Sequence, residues 1–149
     1  MRSPGERTTD APVSPLASGP GRILVALYGV FAVAATGRSL VQLGLEAGNA
    51  PLAYSLSLLA AVLYLVATCC LLLGSEAARR TALVAVCIEL VGVLVVGVLT
   101  YVEPQLFPDK TVWSHFGQGY GYLPLVLPFL GLAWLLRNGR NQGSPPPGE

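Results

Sequence analysis

The chain has 149 residues, of which 53% are hydrophobic and only 11% charged, with a mean hydropathy of +0.61 and a net charge of +1. A soluble domain carries roughly a quarter charged residues, so this composition excludes an ordinary water-soluble fold. The near-neutral balance excludes a basic field for nucleic acid. The chain has neither a zinc-ligand spacing nor a Gly-rich phosphate loop, so no cofactor or metal is expected.

Residues 1–21 are rich in Pro, Ser, Thr and Gly and show no apolar periodicity, which predicts a disordered tail. The first apolar run, residues 23–41, is interrupted only near its end by Arg38. Ala32-Val33-Ala34 resembles a small-residue cleavage site, but the polar region ahead of it is too long for a signal peptide, so the run is read as a retained span. Arg38 is expected to snorkel to the headgroups or to pair with Glu46, Glu103 or Asp109.

The second run, residues 52–73, is uncharged and long enough to cross a bilayer with some tilt. Ala53, Ser57, Ala61, Tyr64 and Thr68 form one helical stripe of small and polar residues, while leucines crowd the other faces. The third run, residues 81–102, is uncharged except for Glu89. An acid near the centre of a spanning helix costs on the order of 2.5–3.5 kcal/mol. That cost requires a partner, a water-filled cavity or a proton on the carboxyl. Ala85, Glu89, Gly92 and Val96 share a stripe that points Glu89 inward, and Tyr64 and Tyr28 fall near its depth. Glu89, Tyr64 and Tyr28 are therefore the candidate intramembrane polar site, with Tyr64 the expected hydrogen-bond partner. Cys69, Cys70 and Cys87 lie inside apolar runs and are read as small packing residues rather than disulfides.

The segment from Glu103 to Gly121 is rich in aromatics. Asp109 is placed to cap a short interfacial helix through Phe116, with Val112, Trp113 and Phe116 on one face and Gly117 ending it. Trp113, His115, Phe116 and Tyr120 form the candidate outer-face binding surface. His115 is alone in the chain and has no second ligand for a metal. Gly119-Tyr120-Gly121 looks like part of a potassium-channel filter, but Thr111-Val112 stands apart from it, so the glycines are assigned to a turn. The fourth run, residues 122–136, is short for a span of roughly 20 residues and holds Pro124 and Pro128, which predicts an irregular helix. Residues 138–149 read as a second disordered tail.

Of the Lys and Arg residues, seven (Arg2, Arg7, Arg22, Arg79, Arg80, Arg137, Arg140) fall on one side of these spans and two (Arg38, Lys110) on the other. This bias predicts a multi-pass protein of the plasma membrane with both termini cytoplasmic. The expected fold is all-α: a bundle of about four transmembrane helices over residues 22–137, with a short interfacial helix in the last outer loop.

Phe107-Pro108-Asp109-Lys110-Thr111-Val112-Trp113-Ser114, then Phe116-Gly117-Gln118-Gly119-Tyr120-Gly121-Tyr122 and Pro124-Leu125-Val126-Leu127-Pro128, carry a likeness, as do Arg38-Ser39-Leu40-Val41-Gln42 and Glu89-Leu90-Val91-Gly92. With these segments the chain resembles a family of small uncharacterised actinobacterial integral membrane proteins. The resemblance implies four spans and a bacterial plasma membrane, and it transfers no catalytic residue. The expected function is a non-enzymatic membrane component, an accessory or partner-binding subunit whose partners are the lipid bilayer and a protein or a second copy of itself. The alternative is a small transporter or channel subunit that uses Glu89.

Overall fold

The computed structural model describes residues 19–142, and among these every regular element is helical. Helix α1 spans Gly19–Glu46, α2 Pro51–Leu73, α3 Glu76–Val102 and α4 Leu123–Gln142, with 3-10 segments at Pro104–Leu106 and Ser114–Tyr120. The expected tails over residues 1–18 and 143–149 lie outside the described residues. Gly19–Gly21 and Asn138–Gln142, assigned to those tails from composition, are helical. Pro20 is compatible with this because a proline in the first turn has no helix hydrogen bond to lose.

Three of these helices are each long and apolar enough to cross a membrane. The fourth span qualifies only when α4 is taken together with Ser114–Tyr120, to which it is bent by 98°. The short apolar run therefore does not borrow a straight turn from the glycines before it. The chain instead reverses through left-handed backbone at Gly121 (φ 65°) and Tyr122 (φ 61°) before α4 begins. The two prolines are not equivalent: Pro124 stands in the first turn of α4, where nothing is lost, and only Pro128 is inside the helix.

Local signals explain the helix ends. Pro51 opens α2, and Gly74, left-handed at φ 65°, closes it by donating to the Cys70 carbonyl at 3.2 Å. Ser75 caps α3 by accepting from the Ala78 amide at 3.2 Å. Glu76 in the first turn complements the helix dipole and lies 3.4 Å from Arg79 and 3.6 Å from Arg80. Arg79 also donates to the Leu135 carbonyl at 3.1 Å, which ties the start of α3 to the last part of α4. These contacts define a basic end of the bundle, where Arg22, Arg79, Arg80 and Arg137 gather; Arg38 and Lys110 lie at the opposite, loop end.

The small-residue stripes pack inward. Ala53, Ser57, Ala61 and Tyr64 on α2 are buried, as are Ala85, Glu89 and Val96 on α3, while Leu58, Leu59, Leu65, Leu72 and Leu73 face outward. Ala32, Ala35 and Ser39 bring α1 close in the same way. The cysteines depart from expectation. Cys69 and Cys87 are exposed on the outer faces, and only Cys70 packs against the core.

The last loop also departs from expectation. Its helical segment is Ser114–Tyr120, not Asp109–Phe116, and it is interrupted by left-handed His115, Phe116 and Gly117. Asp109 caps no helix. Its carboxylate accepts from the Lys110 amide at 2.8 Å and the Tyr54 hydroxyl at 3.0 Å. Val112, Trp113 and Ser114 turn into the bundle and are buried. Burying an indole removes a large apolar area from water, and two glycines of α3 make room for the loop, Gly92 for the indole and Gly97 for the Phe116 ring. A Cβ at Gly92 would stand 2.6 Å from Cζ3 of Trp113, and one at Gly97 would collide with the Phe116 ring.

The indole is rigid, so Gly92→Ala is expected to lower stability by about 1–3 kcal/mol through overpacking. Gly37→Ala, in the open face of α1 with nothing within 4 Å, is expected to leave stability unchanged or raise it by up to about 1 kcal/mol. Thermal unfolding in detergent checks both, and equal behaviour of the two variants contradicts the notch.

Candidate functional site

Glu89 is the one charged side chain buried among the described residues, with 1% exposure. Its Oε2 accepts a hydrogen bond from the Tyr28 hydroxyl at 3.0 Å. The expected partner, Tyr64, is fully buried beside it but is engaged elsewhere: its hydroxyl accepts from Nε1 of Trp113 at 3.2 Å. The pairing expected from depth is thus corrected. Depth along a helix does not include the rotation of its face, and that rotation decides which hydroxyl reaches the carboxyl. The Tyr28 and Tyr64 rings meet at a centroid distance of 6.2 Å, and no hydrogen bond between described residues joins their hydroxyls. The second carboxyl oxygen of Glu89, Oε1, is buried and has no hydrogen-bond partner.

Helix α4 reaches this site at Gly131, where an added Cβ would stand 3.1 Å from the Tyr28 hydroxyl and 3.4 Å from Val86. All four helices therefore contribute: Tyr28 from α1, Tyr64 from α2, Glu89 from α3 and Gly131 from α4. Above the site the Phe31 ring packs edge-on against Tyr64 at 5.9 Å and against Tyr120 at 5.8 Å. This aromatic column joins the polar site to the loop, each pair adding about 0.5–1.5 kcal/mol beyond its buried area.

The loop is held by side chains that the sequence did not single out. Thr111 and Ser114 form a small box: the Thr111 amide donates to Ser114 Oγ at 2.8 Å, and the Trp113 amide donates to Thr111 Oγ1 at 3.0 Å. Thr100 on α3 accepts from the His115 amide at 2.9 Å and donates to the Gly97 carbonyl at 2.7 Å. The T-x-x-S spacing of Thr111 and Ser114 is the signal that a search for side-chain-to-backbone turns would have found. The glycines were visible, but nothing in sequence paired Gly92 with an indole some twenty positions later.

Trp113 is consequently not part of an outer surface, because its indole fills the space between α2 and α3. His115, Phe116 and Tyr120 are half-buried. His115 lies edge-on to Tyr101 at 4.8 Å, and Phe116 is 6.1 Å from the same ring. Tyr101 is 60% exposed, so the aromatic patch at the loop end is centred on it and on Tyr122. Arg38 pairs with none of the expected carboxylates among the described residues. It donates to the Tyr120 hydroxyl at 2.9 Å and to the Lys110 carbonyl at 2.6 Å, clamping the loop on both sides of Trp113. The Tyr54 hydroxyl, 3.1 Å from Glu46 and 3.0 Å from Asp109, adds a second tie between the loop and the α1–α2 corner.

No protein-family model, curated protein or solved structure matches this chain.

A double-mutant cycle of Glu89→Gln with Tyr28→Phe is expected to show a coupling of about 0.6 kcal/mol, up to about 1.7. The cycle of Glu89→Gln with Tyr64→Phe is expected to be additive, and the reverse pattern contradicts the assignment of partners. Arg38→Gln, which weakens two ties to the loop, is expected to cost about 1–3 kcal/mol and to speed trypsin cleavage after Lys110.

Proposed function

We propose that this protein is a non-enzymatic integral membrane component, an accessory or partner-binding subunit, built as a bundle whose interior is locked by its own loop. The observation that supports this reading is how the buried polar groups are used. Glu89 is tied to Tyr28 and Tyr64 is tied to Trp113, and no hydrogen bond between described residues joins the two pairs. A proton or ion pathway needs successive polar groups in hydrogen-bond reach. Here the carboxyl connects α3 to α1, the indole connects the loop to α2, and the two ties together set helix register. The outward groups suit binding: Tyr101 and Tyr122 are 60% and 45% exposed at the loop end.

In this proposal the basic end faces the cytoplasm of a bacterial cell. The clustering of Arg22, Arg79, Arg80 and Arg137 there supports it by the positive-inside rule. Kinship with small actinobacterial membrane proteins is part of the same proposal and rests on the loop and fourth-span residues. A second reading, a small transporter or channel subunit, is favoured by one observation: Glu89 Oε1 is buried with no partner, as a group that takes up and releases a proton or cation would be.

Two measurements separate the readings. Infrared spectra of the protein in lipid, with Glu89→Gln as the subtraction, are expected to show a carboxyl band that does not titrate around neutral pH. Proteoliposome flux is expected to be the same with and without Glu89→Gln. Flux abolished by that substitution, together with a titrating band, moves the assignment to transport. For the partner itself, mild-detergent isolation is expected to recover an assembly that is lost on changing Tyr101 and Tyr122 to Ala. Recovery unaffected by those changes contradicts the loop-end patch.

A further inference from the structure

At the basic end a groove of about 830 Å³ remains between α1 and α4. This volume is in the range of roughly 300–1,000 Å³ typical of ligand sites. Its walls are apolar, with Ile23, Leu24 and Leu27 on α1 and Leu130, Ala133 and Trp134 on α4; Arg137 and Asn138 stand at its polar mouth. The rims run into the lipid-facing surface, since Ile23 and Leu130 are 64% and 49% exposed.

Among the described residues, no ion pair compensates the charge at this mouth. Glu76 is the acidic side chain described at this end, and it is already shared by Arg79 at 3.4 Å and Arg80 at 3.6 Å. Among the described residues no carboxylate lies within ion-pair distance of Arg137 or Arg22. The Trp134 indole makes no hydrogen bond to a described residue, and an indole of this kind belongs at the headgroup level. A long apolar slot ending in a spare guanidinium and amide matches one class of molecule in a bilayer. Basic pockets between spanning helices bind anionic headgroups in this way.

We propose that the α1–α4 groove binds one anionic phospholipid, with an acyl chain between Leu27 and Leu130 and the phosphate facing Arg137 and Asn138. The apolar walls accept any phospholipid chain. The preference for an anionic headgroup comes from Arg137, the basic side chain that lines the groove. This site is separate from Glu89 and the loop-end patch, so it stands or falls independently of the partner-binding reading.

The test uses the full-length protein in mild detergent, equilibrated with phosphatidylglycerol and phosphatidylcholine of the same acyl chains, with bound lipid counted by native mass spectrometry. One phosphatidylglycerol is expected to be retained in preference to phosphatidylcholine. Arg137→Gln, an exposed position whose change leaves the fold intact, is expected to reduce that preference about fivefold, the equivalent of about 1 kcal/mol for one basic residue near an anionic surface. Ala133→Trp, which fills the slot from an exposed position, is expected to displace both lipids with the unfolding temperature retained. Equal retention of the two lipids overturns the proposal, as does a preference that both variants keep. Retention of neither lipid by the unaltered protein also overturns it.

Discussion

The seating of Trp113 is the contact on which the loop end of this bundle depends. Hydrocarbon offers an indole N–H no water, so burying the ring there requires both room and an acceptor. Gly92 provides the room and the Tyr64 hydroxyl the acceptor. With the ring in place, the loop is held to α2 and α3 together. The backbone can then carry left-handed His115, Phe116 and Tyr122 (φ 52°, 60° and 61°). Each such residue costs of order 1–3 kcal/mol, and the Thr111–Ser114 box, the Thr100 bridge and the Arg38 clamp offset it.

Glu89 follows from the same constraint in the middle of the bundle. A carboxyl is costly there unless it is hydrogen-bonded, and the Tyr28 hydroxyl of α1 meets it at 3.0 Å. Gly131 lets α4 approach both Tyr28 and α3 closely. The helix register thus depends on two buried hydrogen bonds that share one aromatic cluster, which explains why polar groups so few in number occur so close together. The charged groups are divided between the two ends. At the loop end Arg38, Glu46 and Asp109 are engaged by neutral groups: Arg38 by Tyr120 and the Lys110 carbonyl, the two carboxylates by Tyr54. At the basic end Arg22 and Arg137 form no ion pair with a described residue.

Much of the architecture was legible in sequence because the bilayer restricts the options. Four charge-poor runs required helices, and their stripes of Ala, Ser and Gly identified the inward faces. The helix ends deviated where capping overrode hydropathy: Ser75 and Glu76 start α3 ahead of its apolar run, and Pro20 lets α1 begin in what reads as tail. Glu89 and Tyr28 were legible as site residues from depth and cost alone.

What the chain determined by itself is therefore the helical class, helices long and apolar enough to cross a membrane, the inward faces of α2 and α3 and the residues that need buried partners. These follow from local composition and periodicity, which act on neighbouring positions. The tertiary structure alone decided which partner each buried group takes, that Trp113 points inward instead of outward, and that α1 and α4 leave a groove between them. Those outcomes depend on the rotation of each helix about its axis and on contacts between groups far apart in sequence. No spacing along a single segment encodes either.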